Sequence, residues 1–137
     1  MDKKEEFISR QEKAASSIDL SKKIAVKVNH TIVIIEMRKI VFINRENRKT
    51  TIHLENDKII STNEQLDVIE NRLSENSFFR CHRSFIINLD KVAEIQPWSR
   101  NSYIVIFNNS KASKKAAYIT KNRYKKLQEI FKLIPGT

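Results

Sequence analysis

Glycine is almost missing from this chain: of 137 residues only Gly136, beside the C-terminus, is one. Loops that cradle phosphate need glycine where the backbone closes on the ligand, in P-loops and dinucleotide-binding turns alike. Their absence removes those folds, and most nucleotide-using enzymes with them. Cysteine is as scarce. Cys81 stands alone, so the fold cannot rest on an intrachain disulfide, and there is no cysteine set for a zinc finger. No apolar run approaches the roughly 18 residues of a membrane span. Residues 1–6 are charged and the apolar stretch at 7–10 is too short for a signal region. A cytoplasmic protein is expected.

What the chain holds in excess is positive charge. Lys and Arg number 26 against 16 acids, a net +10. The first 21 residues contribute four bases and five acids, so the remainder carries +11. The basicity therefore belongs to the folded part and not to an arm. Such an excess favours a polyanion, nucleic acid first and an anionic membrane second, with a merely solvated basic surface as the ordinary alternative. The length fits one domain, and 40% apolar residues supply a modest core.

The organisation follows from the patterning. Residues 1–21 are polar and mixed in charge, and read as a linker or N-terminal extension, helical around 6–15; residues 22–137 form the domain. Ile24, Val26 and Val28 alternate with Ala25 and Lys27, the period of a half-buried strand. Further strands are predicted at 31–35, 39–43, 50–54, 58–60, 78–81, 85–87, 92–95, 103–107 and 116–119. Residues 44–49 read as a polar, mostly basic loop. Asn56-Asp57 serves as a turn, because both residues tolerate left-handed backbone where glycine is lacking. Thr62 and Gln65 fit a capping box ahead of a short helix carrying Leu66, Ile69 and Leu73 on one face, which ends at 74–77. A second helix is expected after Thr120, with Tyr124, Leu127, Phe131 and Ile134 inward and Pro135 as its stop. The fold class is mostly β, with many short strands and little helix.

The segment Phe78-Phe79-Arg80-Cys81-His82-Arg83-Ser84-Phe85-Ile86-Ile87-Asn88 carries the most chemistry. As one regular strand it would turn Phe79, Cys81, Phe85 and Ile87 to the core, and Arg83 with them. Burying an unpaired guanidinium costs too much, so the strand must break near 82–84 and leave Arg83 outside. A basic side chain shown at such a break, between rigid apolar anchors, suits contact with phosphate or a base edge. An ordinary strand edge with an exposed arginine explains the pattern as well.

These residues resemble the signature of the LytTR family, especially its Agr- and Vir-type virulence regulators. Phe78, Arg80, His82, Arg83 and Ser84 match a Phe-x-Arg-x-His-Arg-Ser block, and Ile87-Asn88-Leu89 its apolar-Asn-Leu continuation. Thr120-Lys121-Asn122-Arg123 is similar to a second block, Ser-Lys-x-Arg, ahead of a basic C-terminal helix. The likeness runs from about residue 22 to 131. It implies an elongated LytTR fold of small antiparallel sheets, with one short internal helix and a C-terminal helix, whose loops enter successive major grooves of bent duplex DNA. It implies also a response-regulator output domain that controls transcription of virulence or cell-communication genes at imperfect direct repeats. An upstream receiver domain and a second copy of the chain on the same DNA are further implied partners.

Carried over by position, Arg83 takes the base-contacting place of the middle loop and Lys121 that of the third. Lysine there keeps the charge of the Agr-type arginine but loses the bidentate fork. In the first loop, where the chain is shorter than the family pattern, Arg48 or Lys49 is the base-reading candidate, with Arg45 and Asn47 as phosphate neighbours. Arg80, His82 and Ser84 join Arg83 in the expected DNA surface, as Asn122, Arg123 and Lys125 join Lys121. The third region also stands on its own charge. Lys111, Lys114, Lys115, Lys121, Arg123, Lys125 and Lys126 occur without an intervening acid, although charge runs are usually the wet face of a helix.

Other residues point nowhere. Cys81-His82 lacks a third ligand or an orienting carboxylate at a recognisable spacing, so neither a metal site nor catalysis is expected. No cofactor is expected, and no enzyme. Trp98, after Pro97, reads as packing near a turn. A single-stranded RNA module is the alternative from another class, although the Lys/Arg-Gly-aromatic signature is absent. A basic protein- or membrane-interaction module is the third.

Overall fold

The computed structural model describes residues 22–73, 77–108 and 117–132. The linker at 1–21, the predicted helix end at 74–76, Lys111, Lys114, Lys115, Ile134 and Pro135 lie outside the described residues. Ten strands and two helices are present among those described: β1 Lys23–Val28, β2 Thr31–Glu36, β3 Ile40–Glu46, β4 Lys49–Leu54, β5 Ile59–Thr62, α1 Leu66–Glu70, β6 Phe78–His82, β7 Phe85–Asn88, β8 Val92–Ser99, β9 Ser102–Phe107, β10 Ala117–Thr120 and α2 Lys121–Ile130. All strand pairs are antiparallel. They form a β1-β2 hairpin, a five-stranded sheet in the order β5-β4-β3-β7-β6, and a three-stranded sheet in the order β10-β9-β8.

The five-stranded sheet is central because its middle strands are apolar on both faces. Successive side chains of a strand point to opposite faces, so Ile43 and Phe42 diverge, as do Ile86 and Ile87. Ile43 lies opposite Ile52 on β4 and Ile86 on β7. Together with Ile24, Val26 and Ile35 of the hairpin, and Leu66 and Ile69 of α1, they form one buried cluster. On the other face Phe42, Cys81 and Ile87 pack with Val105, Phe107, Ala117, Ile119 and Leu127. Phe42 lies stacked between His53 and Phe107, with ring centroids at 4.0 and 5.2 Å. Each apolar side chain buried in this way contributes about 1.5–3 kcal/mol.

Several expectations are corrected. The predicted loop at 44–49 is mostly strand: β3 runs to Glu46, β4 starts at Lys49, and only Asn47 and Arg48 turn. Both have positive φ, 51° and 64°, the pair that a two-residue hairpin of type I′ requires. Cross-strand partners override the polarity of the segment: Asn44 lies opposite Thr51 and Arg45 opposite Thr50. The Asn56-Asp57 turn does take left-handed backbone, with φ of 64° and 62°.

The capping box is not formed. Gln65 caps α1 without a side-chain hydrogen bond, and Thr62 is the last residue of β5. Its hydroxyl donates to the carbonyl of Lys27 at 2.5 Å and accepts from the Glu64 amide at 3.1 Å. That hydroxyl is thereby used to join β5 to β1. The second helix starts at Lys121, with the Thr120 hydroxyl accepting from the Arg123 amide at 3.4 Å. Tyr124 and Leu127 face inward, Tyr124 stacked on Tyr103 at 3.8 Å. Phe131 does not: the helix ends at Ile130, and Phe131 is 44% exposed.

Candidate nucleic-acid interface

The geometry gathers the predicted basic segments along one edge. β3 and β7 are antiparallel neighbours, with Asn44 opposite Phe85. The end of β3 therefore lies beside the start of β7, and the Arg45 amide donates to the Ser84 carbonyl at 2.9 Å. This bond ties the Asn47-Arg48 tip to the Arg83-Ser84 turn. Asn47, Arg48 and Lys49 are exposed on the first tip. Arg48 holds left-handed backbone without being glycine, at a cost of about 1 kcal/mol.

The middle turn breaks where burial of Arg83 required it to. β6 ends at His82, β7 begins at Phe85, and the register shifts between Arg80 and His82. Arg83 is exposed and forms no ion pair among the described residues. Arg80, two residues into the same block, behaves in the opposite way. Its Nη1 donates to Asp67 Oδ1 and Glu70 Oε1, both at 2.9 Å. Its Nε donates to the His82 carbonyl at 2.9 Å, and Nη2 to the Arg83 carbonyl. The guanidinium fork thus grips the turn from beneath and anchors it to α1. With that side chain only 17% exposed, Arg80 positions the turn rather than presenting itself at the surface.

His82 adds a second brace. Its Nδ1 accepts from the Ser84 amide at 3.0 Å, which assigns the ring proton to Nε2. Burial, and then the charges of Arg83 and Arg80, push its pKa below the usual value. The ring stays neutral at neutral pH, and Nδ1 stays an acceptor. Arg45 is likewise held inward. Its Nη1 donates to Thr50 Oγ1 at 2.8 Å, to the Glu64 carbonyl at 2.8 Å and to the Asn63 carbonyl at 3.3 Å. Its surroundings are those of a strut at the base of the first tip.

The third segment adjoins the second. Asp67, Glu70, Arg80, His82, Arg83, Thr120 and Arg123 line one shallow cleft of about 310 Å³, which places the start of α2 beside the middle turn. Lys121, Asn122, Arg123 and Lys125 are exposed. The Lys121 amide donates to the Asn101 carbonyl at 3.1 Å, so the β8–β9 turn supports the helix start. Sequence reasoning missed Asp67, Glu70 and Asn101 as parts of this edge. Nothing local marks them; only the fold brings them there.

Cys81 is buried, and burial pushes its thiol up to about 12. It donates to the Tyr118 carbonyl at 3.3 Å and the Phe85 carbonyl at 3.7 Å, as a packing residue would. A thiol held in that state is no nucleophile at neutral pH. Among the described residues no cluster of three or more His, Cys, Asp or Glu could hold a metal ion, and no helix is long and apolar enough to cross a membrane.

The two hairpin turns of the five-stranded sheet and the start of α2 after β10 thus bring the three basic segments side by side. The profile of the LytTr DNA-binding domain matches residues 30–132, across both blocks and all three tips. The chain belongs to the LytTr DNA-binding domain family. This is a family of DNA-binding domains and not of enzymes.

Similar proteins agree. Over 93 residues the chain is 36% identical to the transcriptional regulatory protein LytR of Staphylococcus aureus, a match covering 68% of this chain and 37% of that protein. Over 87 residues it is 32% identical to the sensory transduction protein LytT of Oceanobacillus iheyensis, covering 64% of this chain and 35% of that one. The matched part thus spans little more than a third of those relatives. Among solved structures, the LytTr DNA-binding domain of a Bacillus cereus response regulator superposes with a TM-score of 0.65 at 19% identity, over 80% of this chain and 96% of that one. That likeness shows the fold: small antiparallel sheets with two helices, as the sequence led one to expect.

Proposed function

We propose that this LytTr domain reads promoter sequence in duplex DNA, as the output half of a response regulator of a two-component system. The observation that carries the reading is the single edge on which Arg48, Lys49, Arg83, Lys121 and Arg123 are exposed from three adjoining tips. Adjoining exposed cations on one side suit a duplex, whose phosphates offer a continuous row of negative charge beside the groove. Arg83 is assigned the base-reading role, because an arginine fork can donate two bonds to guanine O6 and N7. Lys121 is the second base reader, and Arg48 or Lys49 the third. Asn47, Ser84, Asn122, Arg123 and Lys125 are assigned to phosphate, where contacts fix register without reading sequence. Arg45, Arg80 and His82 act from behind by holding the tips. Imperfect direct repeats occupied by two copies, an upstream receiver, and virulence or cell-communication genes as targets rest on the resemblance to Agr- and Vir-type regulators.

The reading is tested by competition. Duplexes enriched from a randomised pool by repeated binding are challenged with random duplex, single-stranded RNA and vesicles of anionic lipid. Enriched duplex is expected to outcompete the other three, and to share one sequence pattern. Preference for single-stranded RNA, or enrichment of no pattern, contradicts sequence-specific duplex binding.

A further inference from the structure

The same edge continues past α2 to a fourth tip, the turn between β8 and β9. Thr120, the last residue of β10, lies opposite Ser102, the first of β9. Lys121 then bonds through its amide to Asn101 within the turn. The turn itself is two residues long, Arg100-Asn101, closed by Ser99 opposite Ser102 with their hydroxyls 2.5 Å apart. Arg100 is exposed and forms no ion pair among the described residues.

One residue further back the register shifts between Pro97 and Ser99, which sets Trp98 at an irregularity of the strand. The expectation that Trp98 packs near its turn holds only for one side of the ring. Its centroid lies 5.8 Å from that of Tyr118, yet the residue is 60% exposed. Tyr118 in turn meets Phe85 edge-on at 5.7 Å, and Phe85 meets His82 at 5.5 Å. A continuous aromatic row therefore connects the exposed indole with the brace of the Arg83 turn. An open indole and an unpaired guanidinium on a tip so supported have no structural task that their burial or bonding reveals.

We propose that the β8–β9 tip is a fourth DNA-contacting element, in which Arg100 binds a backbone phosphate beyond the one nearest Lys121 and Trp98 lies against the adjoining sugar-phosphate. The inference rests on the duplex-binding reading above. A phosphate role follows from position, because the tip is at the end of the row, where it extends the footprint instead of entering the groove between base-reading loops. Arginine donates to a phosphate as a planar fork and needs no particular base.

Trp98 is the only tryptophan in the chain, so its emission reports on this tip alone. In the wild-type protein, the emission is expected to change with the same midpoint as the anisotropy of a labelled, enriched duplex. Quenching by acrylamide should fall at saturation. Arg100→Ala should weaken enriched and random duplex by the same factor, and reduce the log–log salt slope by about 0.9, one phosphate contact. Arg100→Lys should keep the wild-type slope. A wild-type slope in Arg100→Ala with an unchanged melt, or a Trp98 as open to acrylamide at saturating duplex as in the free protein, overturns the proposal. Should Arg100→Ala fail to fold, the wild-type quenching measurement decides. Wild-type protein that binds no duplex at all would instead remove the reading on which the inference rests.

Discussion

Arg83→Ala is expected to weaken binding to the enriched duplex by about 1–3 kcal/mol, and to random duplex by much less. The asymmetry follows from the surroundings. Arg83 is exposed on a turn whose backbone is held from three sides, by Arg80, His82 and the Arg45 amide. Its side chain contributes little to the fold, so the thermal melt should stay near that of the wild type. Arg83→Lys should fall between wild type and alanine on the enriched duplex, because an ammonium keeps the charge and can donate to guanine but lacks the planar fork. Affinities on both duplexes and a melt check this. Equal loss on the two duplexes would make Arg83 a phosphate contact, and a collapsed melt would make it structural.

The second large effect concerns stability. Glu64 accepts from Arg72 through both oxygens, at 2.5 and 2.8 Å, and from the Lys27 amide at 2.9 Å. Arg72 also donates to the Ala25 carbonyl at 3.0 Å. This pair fastens the β1-β2 hairpin to the segment around α1, and so keeps one face of the central sheet covered. Glu64→Gln should lower stability by about 1–2 kcal/mol at pH 7, the lower part of the range for charged hydrogen bonds because Arg72 is partly exposed.

A signature in pH accompanies the loss. The Arg72 hydrogen bonds above all hold the Glu64 carboxyl at about 2, below the ordinary 4.5. A lowered carboxyl contributes stability that is fully present above its unfolded value and is lost as pH falls toward the folded one. The gap in urea midpoint between wild type and Glu64→Gln should therefore be widest at pH 6–7 and close between about pH 5 and pH 2. A gap as wide at pH 3 as at pH 7 would show that the charge of Glu64 is not what the pair depends on.

Much of this was legible in the chain, for physical reasons that differ from place to place. The alternation of Ile24, Val26 and Val28 survives in the fold as the inward side of β1, with Ile24 and Val26 fully buried. The outward placement of Arg83 followed from the cost of burying an unpaired guanidinium, and any fold had to respect that. What stayed hidden was non-local. Arg80 and Arg83 belong to one block and carry the same side chain, yet only Arg80 meets Asp67 and Glu70. No local pattern distinguishes them. Arg45 looked like a loop residue because six polar residues run together without glycine, whereas pairing with Thr50 makes it part of a strand. Thr62 and Gln65 had the spacing of a capping box, and lost it to a stronger demand, the bond from Thr62 to β1. The fourth tip was invisible for the same reason: Ser99-Arg100-Asn101-Ser102 is an ordinary polar turn until Asn101 is seen bound to Lys121.

If the tips on this edge grip the phosphates of a duplex, duplex affinity must fall steeply as salt rises. Each neutralised phosphate contributes about −0.9 to the slope of log affinity against log salt. With two copies on one site, roughly five to nine contacts are predicted, a slope between about −4.5 and −8. A flat response would mean that the tips do not grip phosphate.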